Sequence, residues 1–219
     1  MTPPFLVLEG LDGAGTTTQV QLLAQKLEEY GASVHPTCEP STGPIGAMIR
    51  EMLRMEIAIE EEGQRRPVSR ETLALLFAAD RLHHLESEIE PALRSGKVVL
   101  SDRYYHSSLA YQGDVEKSAT GEERVDYGWV QSLNKEARAP TLTVYVRTPV
   151  DTCLRRLSTR SNFEIYEREE KLRRLATRYD EVMELLSAAG QEIFTLDGEA
   201  SREEITAAIW AELQGRQLL

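Results

Sequence analysis

The chain has 219 residues, of which 41% are hydrophobic, and this predicts one sizeable core and a single domain over residues 1–219. The formal net charge of −11 argues against a general binder of nucleic acid or of an acidic membrane surface, because either polyanion would be repelled. An anionic ligand must therefore be held by a local group of basic side chains.

The amino terminus and the cysteines set the expected compartment. Met1-Thr2-Pro3-Pro4 lacks the basic and apolar regions of a signal peptide, and no apolar run reaches the roughly 18 residues of a membrane span. Cys38 and Cys153 have no metal-ligand spacing and are expected to be free thiols. These features predict a cytoplasmic protein.

The first element is a short apolar strand, Phe5-Leu-Val-Leu-Glu9, which leads into a glycine-rich loop over residues 10–17. The loop has the glycine spacing of a phosphate-binding loop and places a threonine at the magnesium-side position. Its backbone amides would point at phosphate oxygens, and the helix predicted over residues 15–30 adds its positive end. A simple tight turn is the alternative. The loop is expected to bind nucleotide phosphates through Gly10, Leu11, Asp12, Gly13, Ala14, Gly15, Thr16, Thr17 and Thr18.

Thr16 departs from the motif because it occupies the position of the usual lysine. That lysine bridges phosphates as negative charge moves toward the leaving oxygen. Losing one preorganised contact of this kind costs a factor of about 10²–10³ in rate. Three outcomes stay open: an arginine elsewhere substitutes for the lysine, the reaction is slow, or the chain binds nucleotides without useful turnover.

The remaining elements alternate between strands and helices. Strands are expected near residues 32–35, 98–100, 141–146 and 193–196, and a loop is expected to begin at Pro36. Helices are expected near residues 45–53, 69–96, 103–112, 126–137, 149–159, 169–188 and 201–213, with loops near 56–66, 113–125 and 160–168. Leu82, Leu85, Ile89 and Leu93 mark one buried stripe of the long helix that Ser69 would cap.

Five strand–helix repeats predict an α/β fold, a five-stranded parallel sheet flanked by helices on both faces. Loops 10–17, 36–44 and the segment from residue 102 onward each follow one of the first three strands. They should therefore share the edge of the sheet at which such folds bind ligands. Asp102 ends one of these strands, and its carboxylate, with the Thr17 hydroxyl, could organise Mg²⁺. Its alternative role is to cap helix 103–112.

Two groups of side chains have helical spacing suited to a nucleobase. Phe77 and Arg81 lie four residues apart, so an aromatic plane and a guanidinium share one helix face. Taken alone, this is more often a core phenylalanine beside a surface arginine. Ser108, Tyr111 and Gln112 likewise share one face of a short helix at the sheet edge.

Four segments resemble the thymidylate kinase family, namely Leu8-Glu-Gly-Leu-Asp-Gly-Ala-Gly15, Glu39-Pro-Ser-Thr-Gly-Pro-Ile-Gly46, Phe77-Ala-Ala-Asp-Arg81 and Asp102-Arg-Tyr-Tyr-His-Ser-Ser-Leu-Ala-Tyr-Gln-Gly113. The resemblance implies the P-loop nucleoside monophosphate kinase fold and a homodimer. It also implies transfer of the terminal phosphoryl group of ATP to dTMP, with Mg²⁺ as cofactor. Two alternatives are a nucleotide-binding module with weak or no catalysis and a kinase for another pyrimidine monophosphate.

The resemblance also assigns the nucleoside part of the dTMP site. By its motifs, Phe77 would stack on thymine and Arg81 would bond a base carbonyl. Ser108 and Gln112 would contact the base edge. Tyr111 would pack under the sugar, where a ribose hydroxyl would clash.

The phosphate side of the dTMP site is assigned in the same way. Arg50 and Arg103 would hold the monophosphate, and Asp12 and Glu39 would position that phosphate or its magnesium. Because the acceptor phosphate is already anionic, the resemblance needs no histidine base. His83, His84 and His106 are therefore expected to be structural or surface groups.

Residues 154–168 resemble the family's lid, a basic segment that closes over ATP. Arg155, Arg156 and Arg160 are candidates to reach the transferring phosphate, and a solvated charged helix face is the alternative. Since loop 10–17 has no basic residue, the chain resembles family members whose lid supplies the arginine. Arg147 stands where the family often has an aspartate and could add positive charge. The expected catalytic residues are Asp12, Arg103, Arg156 and Arg160.

Overall fold

The computed structural model describes residues 3–113, 127–158 and 165–219 of the chain. Its elements, in chain order, are β1 (Phe5–Glu9), α1 (Thr16–Glu29), β2 (Val34–Cys38), α2 (Pro44–Leu53), β3 (Ile59–Glu61), β4 (Gln64–Arg66), α3 (Arg70–His84), a π-helical segment (Leu85–Ile89), α4 (Glu90–Arg94), β5 (Val98–Asp102), α5 (Tyr105–Tyr111), α6 (Tyr127–Leu133), β6 (Leu142–Arg147), α7 (Val150–Ser158), α8 (Ile165–Ala188), β7 (Ile193–Asp197) and α9 (Arg202–Gly215). The expected lid residues 159–164 and most of the predicted loop 113–125 lie outside these ranges.

The central sheet has five parallel strands in the order β2-β5-β1-β6-β7, which confirms the predicted fold class. Alternate residues of β1 serve the two faces. Leu6 and Leu8 enter one hydrophobic core, whereas Phe5 and Val7 enter the other. Both faces are therefore covered, as a parallel sheet requires. No helix in the described part of the chain is long and apolar enough to cross a membrane.

Three predicted elements differ from the structure. Pro36 is a residue of β2 and does not begin a loop. The sheet tolerates it because β2 is an edge strand, paired within the described part of the chain with β5 alone. Residues 59–66, predicted as a loop, form the β3–β4 hairpin. Helix α8 begins at Ile165, earlier than the predicted start at residue 169.

The long helix predicted from Ser69 is present, with a change of hydrogen-bonding pattern inside it. The Ser69 hydroxyl accepts a bond from the Thr72 amide at 3.1 Å, as a helix cap does. The π-helical segment then carries the helix into α4. Leu82 is 43% exposed, so its predicted place in the buried stripe is wrong. A π turn contains one extra residue, so the helix face that carries the stripe changes within the π-helical segment, and Leu82 lies before this change.

Candidate active site

The glycine-rich loop joins β1 to α1, at the carboxyl edge of the sheet. Gly13 and Gly15 have φ values of +89° and +100°, which L side chains rarely adopt. A Cβ on Gly10 would come within 2.9 Å of the Val146 carbonyl oxygen, so this glycine allows the loop to sit close to β6. Thr16 is the first residue of α1, and it is buried. The loop therefore has the curled backbone that phosphate binding requires.

Asp102 and Thr17 meet beside this loop, as their expected metal role requires. The Thr17 hydroxyl donates a hydrogen bond to Asp102 Oδ2. Asp102 Oδ1 is buried and has no hydrogen-bond partner among the described residues. Tyr104, not Asp102, stands at the N-cap position of α5, so the alternative role of Asp102 as that cap is wrong. An orphaned carboxylate oxygen beside a hydroxyl fits Mg²⁺, which binds one or two protein groups together with phosphates and water.

Arg103 and Asp12 form an ion pair between the loop and the segment after β5. Arg103 Nη2 donates to Asp12 Oδ1 at 2.8 Å, and Arg103 Nη1 donates to the hydroxyls of Ser107 and Tyr179 at 3.0 and 2.8 Å. The Tyr111 ring lies under the same guanidinium, 5.5 Å from Arg103 Cζ. The Asp12 side chain is 58% exposed, so the pair faces solvent on one side. The structure thus brings these predicted residues to one point of the sheet edge.

Arg81 is the centre of a buried polar group behind this edge. Its Nε and Nη2 donate to Glu39 Oε2 at 2.9 and 2.7 Å, and Nη2 also donates to Ser108 Oγ at 3.0 Å. Nη1 donates to Asn134 Oδ1. Arg81 is 1% exposed, so it is not the surface arginine of the alternative interpretation. Its guanidinium is held in one orientation by partners from three parts of the fold.

The loop between β2 and α2 is held in place by two further charged residues. Asp80, next to Arg81, accepts hydrogen bonds from the Ser41 amide and hydroxyl, both at 2.6 Å. Arg50 donates to the carbonyl oxygens of Pro40 and Ser41 at 2.9 and 2.7 Å. These contacts fix the position of Glu39, and they place the Arg50 guanidinium at the loop rather than in bulk solvent.

The remaining predicted base-contacting residues lie nearby on α3 and at the end of α5. Phe77 is half-buried on α3, one turn before Arg81. Gln112 is buried, and its Oε1 has no hydrogen-bond partner among the described residues. An unsatisfied amide oxygen in a buried position points to a ligand that donates a hydrogen bond there.

The three lid arginines and Arg147 have different surroundings. Arg155 Nη2 donates a hydrogen bond to Thr152 Oγ1 at 3.0 Å, within α7. Arg156 Nη1 donates to the carbonyl oxygens of Gly13 and Ala14 at 3.3 and 3.1 Å, so its charge lies against the glycine loop. Arg160 lies outside the described residues. Arg147 forms a bidentate ion pair with Asp180, with distances of 3.0 and 2.6 Å. The Asp180 carboxylate therefore balances the positive charge that Arg147 was expected to add near the phosphates.

His84 and His106 fill structural positions, as expected. His84 is fully buried, and it hydrogen-bonds Thr37 at 2.8 Å and contacts Glu39 at 3.3 Å. His106 is also fully buried, and burial lowers its pKa to about 3, so it is neutral at physiological pH.

Several residues of the site were not predicted from the sequence. Asn134 and Asp80 support Arg81 and its neighbouring loop, and Glu9 and Tyr179 support Arg103. Glu9 carried a usable signal, because a carboxylate closes an otherwise apolar buried strand. Asn134 carried none, since it lies 53 residues from its partner in an unremarkable polar segment.

The fold and the site together define the class of the protein: a parallel α/β fold with a phosphate-binding loop, and a buried group of polar side chains behind the same sheet edge, is that of a P-loop nucleoside monophosphate kinase. A model of the thymidylate kinase family matches residues 8–209. The chain belongs to the thymidylate kinase family.

Curated relatives agree with this assignment. The chain is 38% identical over 212 residues to a protein of Pyrococcus abyssi described as "Probable thymidylate kinase", covering 96% of this chain and 98% of the relative. It is 41% identical over 181 residues to the protein of the same description from Pyrococcus horikoshii, covering 83% and 76%. A third, from Pyrobaculum aerophilum, is 35% identical over 209 residues, covering 95% of each chain.

Proposed function

We infer that this chain transfers the γ-phosphoryl group of ATP to dTMP and so produces ADP and dTDP. An oxygen of the dTMP phosphate attacks the γ-phosphorus, and the bond between that phosphorus and the β,γ-bridging oxygen breaks. No covalent enzyme intermediate and no general base are needed, because the acceptor is already anionic and positioning supplies most of the catalysis. Family membership, together with the buried Gln112 oxygen that has no partner among the described residues, carries this inference.

The acceptor site is proposed to use the residues grouped around Arg81 and Arg103. Arg81 and Gln112 would hydrogen-bond the edge of the base, with Phe77 against its face. Arg103, paired with Asp12, and Arg50 would hold the monophosphate. The support is geometric, since these residues lie on α3 and on the loops and helices that follow β1, β2 and β5, and α3 is joined to them by the hydrogen bonds of Arg81.

The donor site is proposed to consist of residues 10–18 with Mg²⁺ at Thr17 and Asp102. A bound Mg²⁺ would neutralise charge on the donor phosphates. Asp102 and Thr17 would hold it, and the backbone amides of the loop would orient the phosphates. Arg156, whose guanidinium contacts the loop, is proposed as the lid residue that assists transfer, and Arg160 is proposed for the same role.

A coupled assay of ADP release with dTMP, dUMP, dCMP and dGMP as acceptors tests the function. Turnover with dTMP, and a higher kcat/KM for dTMP than for the other three, is the expected result. Preference for dUMP or dCMP would contradict the acceptor assignment. Binding of dTMP without ADP release would instead favour a nucleotide-binding module.

Replacing Thr16 by lysine is expected to raise kcat by about ten- to a hundredfold, because a positive charge returns to the position at which the leaving oxygen becomes negative. Thr16→Met is the matched control, since it lengthens the side chain without adding charge. Steady-state rates at saturating ATP and dTMP provide the measurement. A lower rate for Thr16→Lys would mean that another cation already occupies this space.

We propose that the chain forms a homodimer and that the exposed face of α3 is its interface. Leu75 and Leu82, two turns apart on one side of this helix, are 52% and 43% exposed, and Met48 on the adjacent helix α2 is 43% exposed. A second copy of the chain that buries this apolar surface would stabilise both. We expect Leu82→Glu to convert a dimer to a monomer in sedimentation velocity, and Leu185→Glu, at an equally exposed leucine of α8, to leave it dimeric.

A further inference from the structure

Glu9 is a fully buried carboxylate that the proposed reaction does not use. It is the last residue of β1, immediately before the glycine loop. Its Oε1 accepts hydrogen bonds from the backbone amides of Tyr104 and Ser107 at 2.7 and 3.2 Å. Its Oε2 accepts hydrogen bonds from the hydroxyls of Ser107 and Tyr179 at 2.8 and 3.2 Å. Burial of a carboxylate costs more free energy than burial of a neutral side chain, even with four hydrogen-bond donors around it. The contacts of Glu9 should therefore indicate a function.

The two hydroxyls on Oε2 are the same two that hold Arg103. An ionised carboxylate can only accept hydrogen bonds, so it draws both hydroxyl protons toward itself. The lone pairs of Ser107 Oγ and Tyr179 Oη are then turned toward Arg103 Nη1, which lies 3.0 and 2.8 Å away. Nη2 is thereby directed at Asp12 and the open side of the site.

Glu9 also fixes the backbone that carries this arginine. Arg103 has a φ of +73°, in the left-handed region that non-glycine residues rarely adopt. The amide that follows, that of Tyr104, is the one bound to Glu9 Oε1. One carboxylate therefore constrains both the main chain and, through two hydroxyls, the guanidinium of Arg103.

We propose that Glu9 is a positioning residue that sets the orientation in which Arg103 receives the acceptor phosphate. The role rests on the proposed function, in which Arg103 binds dTMP. It predicts that a proton added to Glu9 weakens acceptor binding, because a carboxylic acid must donate to one of its neighbours and so turns a hydroxyl proton toward Arg103.

The surroundings of Glu9 place this protonation near neutral pH. Burial raises its pKa to about 7, and the nearby Arg103 charge opposes that rise. Among the described residues, the other titratable groups that act on it are Tyr179 on α8 and, on α5, His106, with its Nδ1 3.7 Å from Oε1, Tyr105 and Tyr111. Burial raises the pKa of Tyr105 and that of Tyr111, so neither is charged near pH 7. Burial raises the pKa of Tyr179 well above its ordinary value and lowers that of His106, so both are neutral over this range. Glu9 loses its proton as the pH rises through about 7, so acceptor affinity should rise with pH there.

Glu9→Gln tests the role because the orientation of the new amide is determined by its neighbours. Its Oε1 stays on the two backbone amides, and its Nε2 must donate toward Ser107 and Tyr179. We expect the Kd for dTMP, measured by calorimetry at pH 8, to rise about tenfold, the effect of one lost charge-assisted hydrogen bond. The Kd for ATP should change less than about twofold, since the loop amides are untouched.

The pH dependence separates a positioning role from a merely structural one. Between pH 6 and 8, the wild type should lose dTMP affinity with acid in two steps, from Glu9 and from the phosphate of dTMP itself. Glu9→Gln should retain only the step of dTMP. Glu28→Gln, which removes the same charge at the far end of α1, should behave as the wild type.

Tyr179→Phe provides a second test if Glu9→Gln fails to fold. It removes one of the two hydroxyls on Arg103 and leaves Glu9 in place, so affinity should fall several-fold while both pH steps remain. Suppose that the wild type binds dTMP. The positioning role alone is then overturned if Glu9→Gln has the same affinity and pH dependence as the wild type, or if Tyr179→Phe has the same affinity. Absence of dTMP binding by the wild type would overturn the proposed function itself, and this role with it.

Discussion

Asp102→Asn is expected to lower kcat/KM by a factor of about 10²–10³, the loss that follows removal of one preorganised electrostatic contact to a transferring group. The amide has nearly the shape of the carboxylate, and its oxygen can still accept the Thr17 hydrogen bond. It lacks the negative charge, and the buried position of Oδ1 would hold an NH₂ group that cannot bind a cation. The loss should therefore concern Mg²⁺ rather than folding.

Two measurements distinguish this explanation from general damage to the site. In calorimetry, Mg²⁺ added to the ADP-bound protein should bind at least about tenfold more weakly to Asp102→Asn than to the wild type. Asp180→Asn is the matched control. This carboxylate lies near the same sheet edge, but it is occupied by Arg147 and the Tyr145 hydroxyl, so its loss should leave Mg²⁺ binding unchanged. An unaltered Mg²⁺ affinity in Asp102→Asn would contradict the assigned role.

The fold could be predicted from the sequence where local patterns and the sheet agree. Apolar strands such as residues 98–100, each followed by a glycine loop or a helix, determine a parallel sheet almost by themselves. Pro36 shows the limit of that reasoning, because proline ends a strand in most contexts. Only the strand order, which places β2 at the edge, explains why it is accepted there.

The site could be predicted where its residues lie in contiguous motifs. Asp102, Arg103, Ser108 and Gln112 belong to one segment, and spacing alone puts them at the end of β5 and on the loop and helix that follow it. The hydrogen bonds that support these residues cannot be predicted from motif spacing. Tyr179 is 76 residues from Arg103, and its place depends on how α8 packs against α5. Hydrogen bonds between distant elements are set by tertiary packing, which periodicity does not encode.

Of the substitutions proposed for this protein, replacement of Arg81 alone is expected to lower the free energy of unfolding most. Arg81→Met leaves the Glu39 carboxylate buried without its guanidinium, and breaking a buried pair in this way costs about 3–5 kcal/mol. Chemical denaturation should show this loss in the free energy of unfolding. Arg54→Met is the control, because Arg54 and Glu56 are both more than half exposed, so water screens the pair and its loss should leave the free energy of unfolding almost unchanged.

The double variant Arg81→Met with Glu39→Leu separates folding from recognition. Removing both charges should recover most of the lost stability, since well-packed apolar residues often replace a buried ion pair without cost. Affinity for dTMP should stay as low as in Arg81→Met, because the hydrogen bonds proposed for the base are absent in both. If affinity instead returned along with stability, Arg81 would be a structural residue and not one that binds the base. The comparison is informative because Arg81 is 1% exposed, so a purely structural account of it is physically reasonable and has to be tested directly.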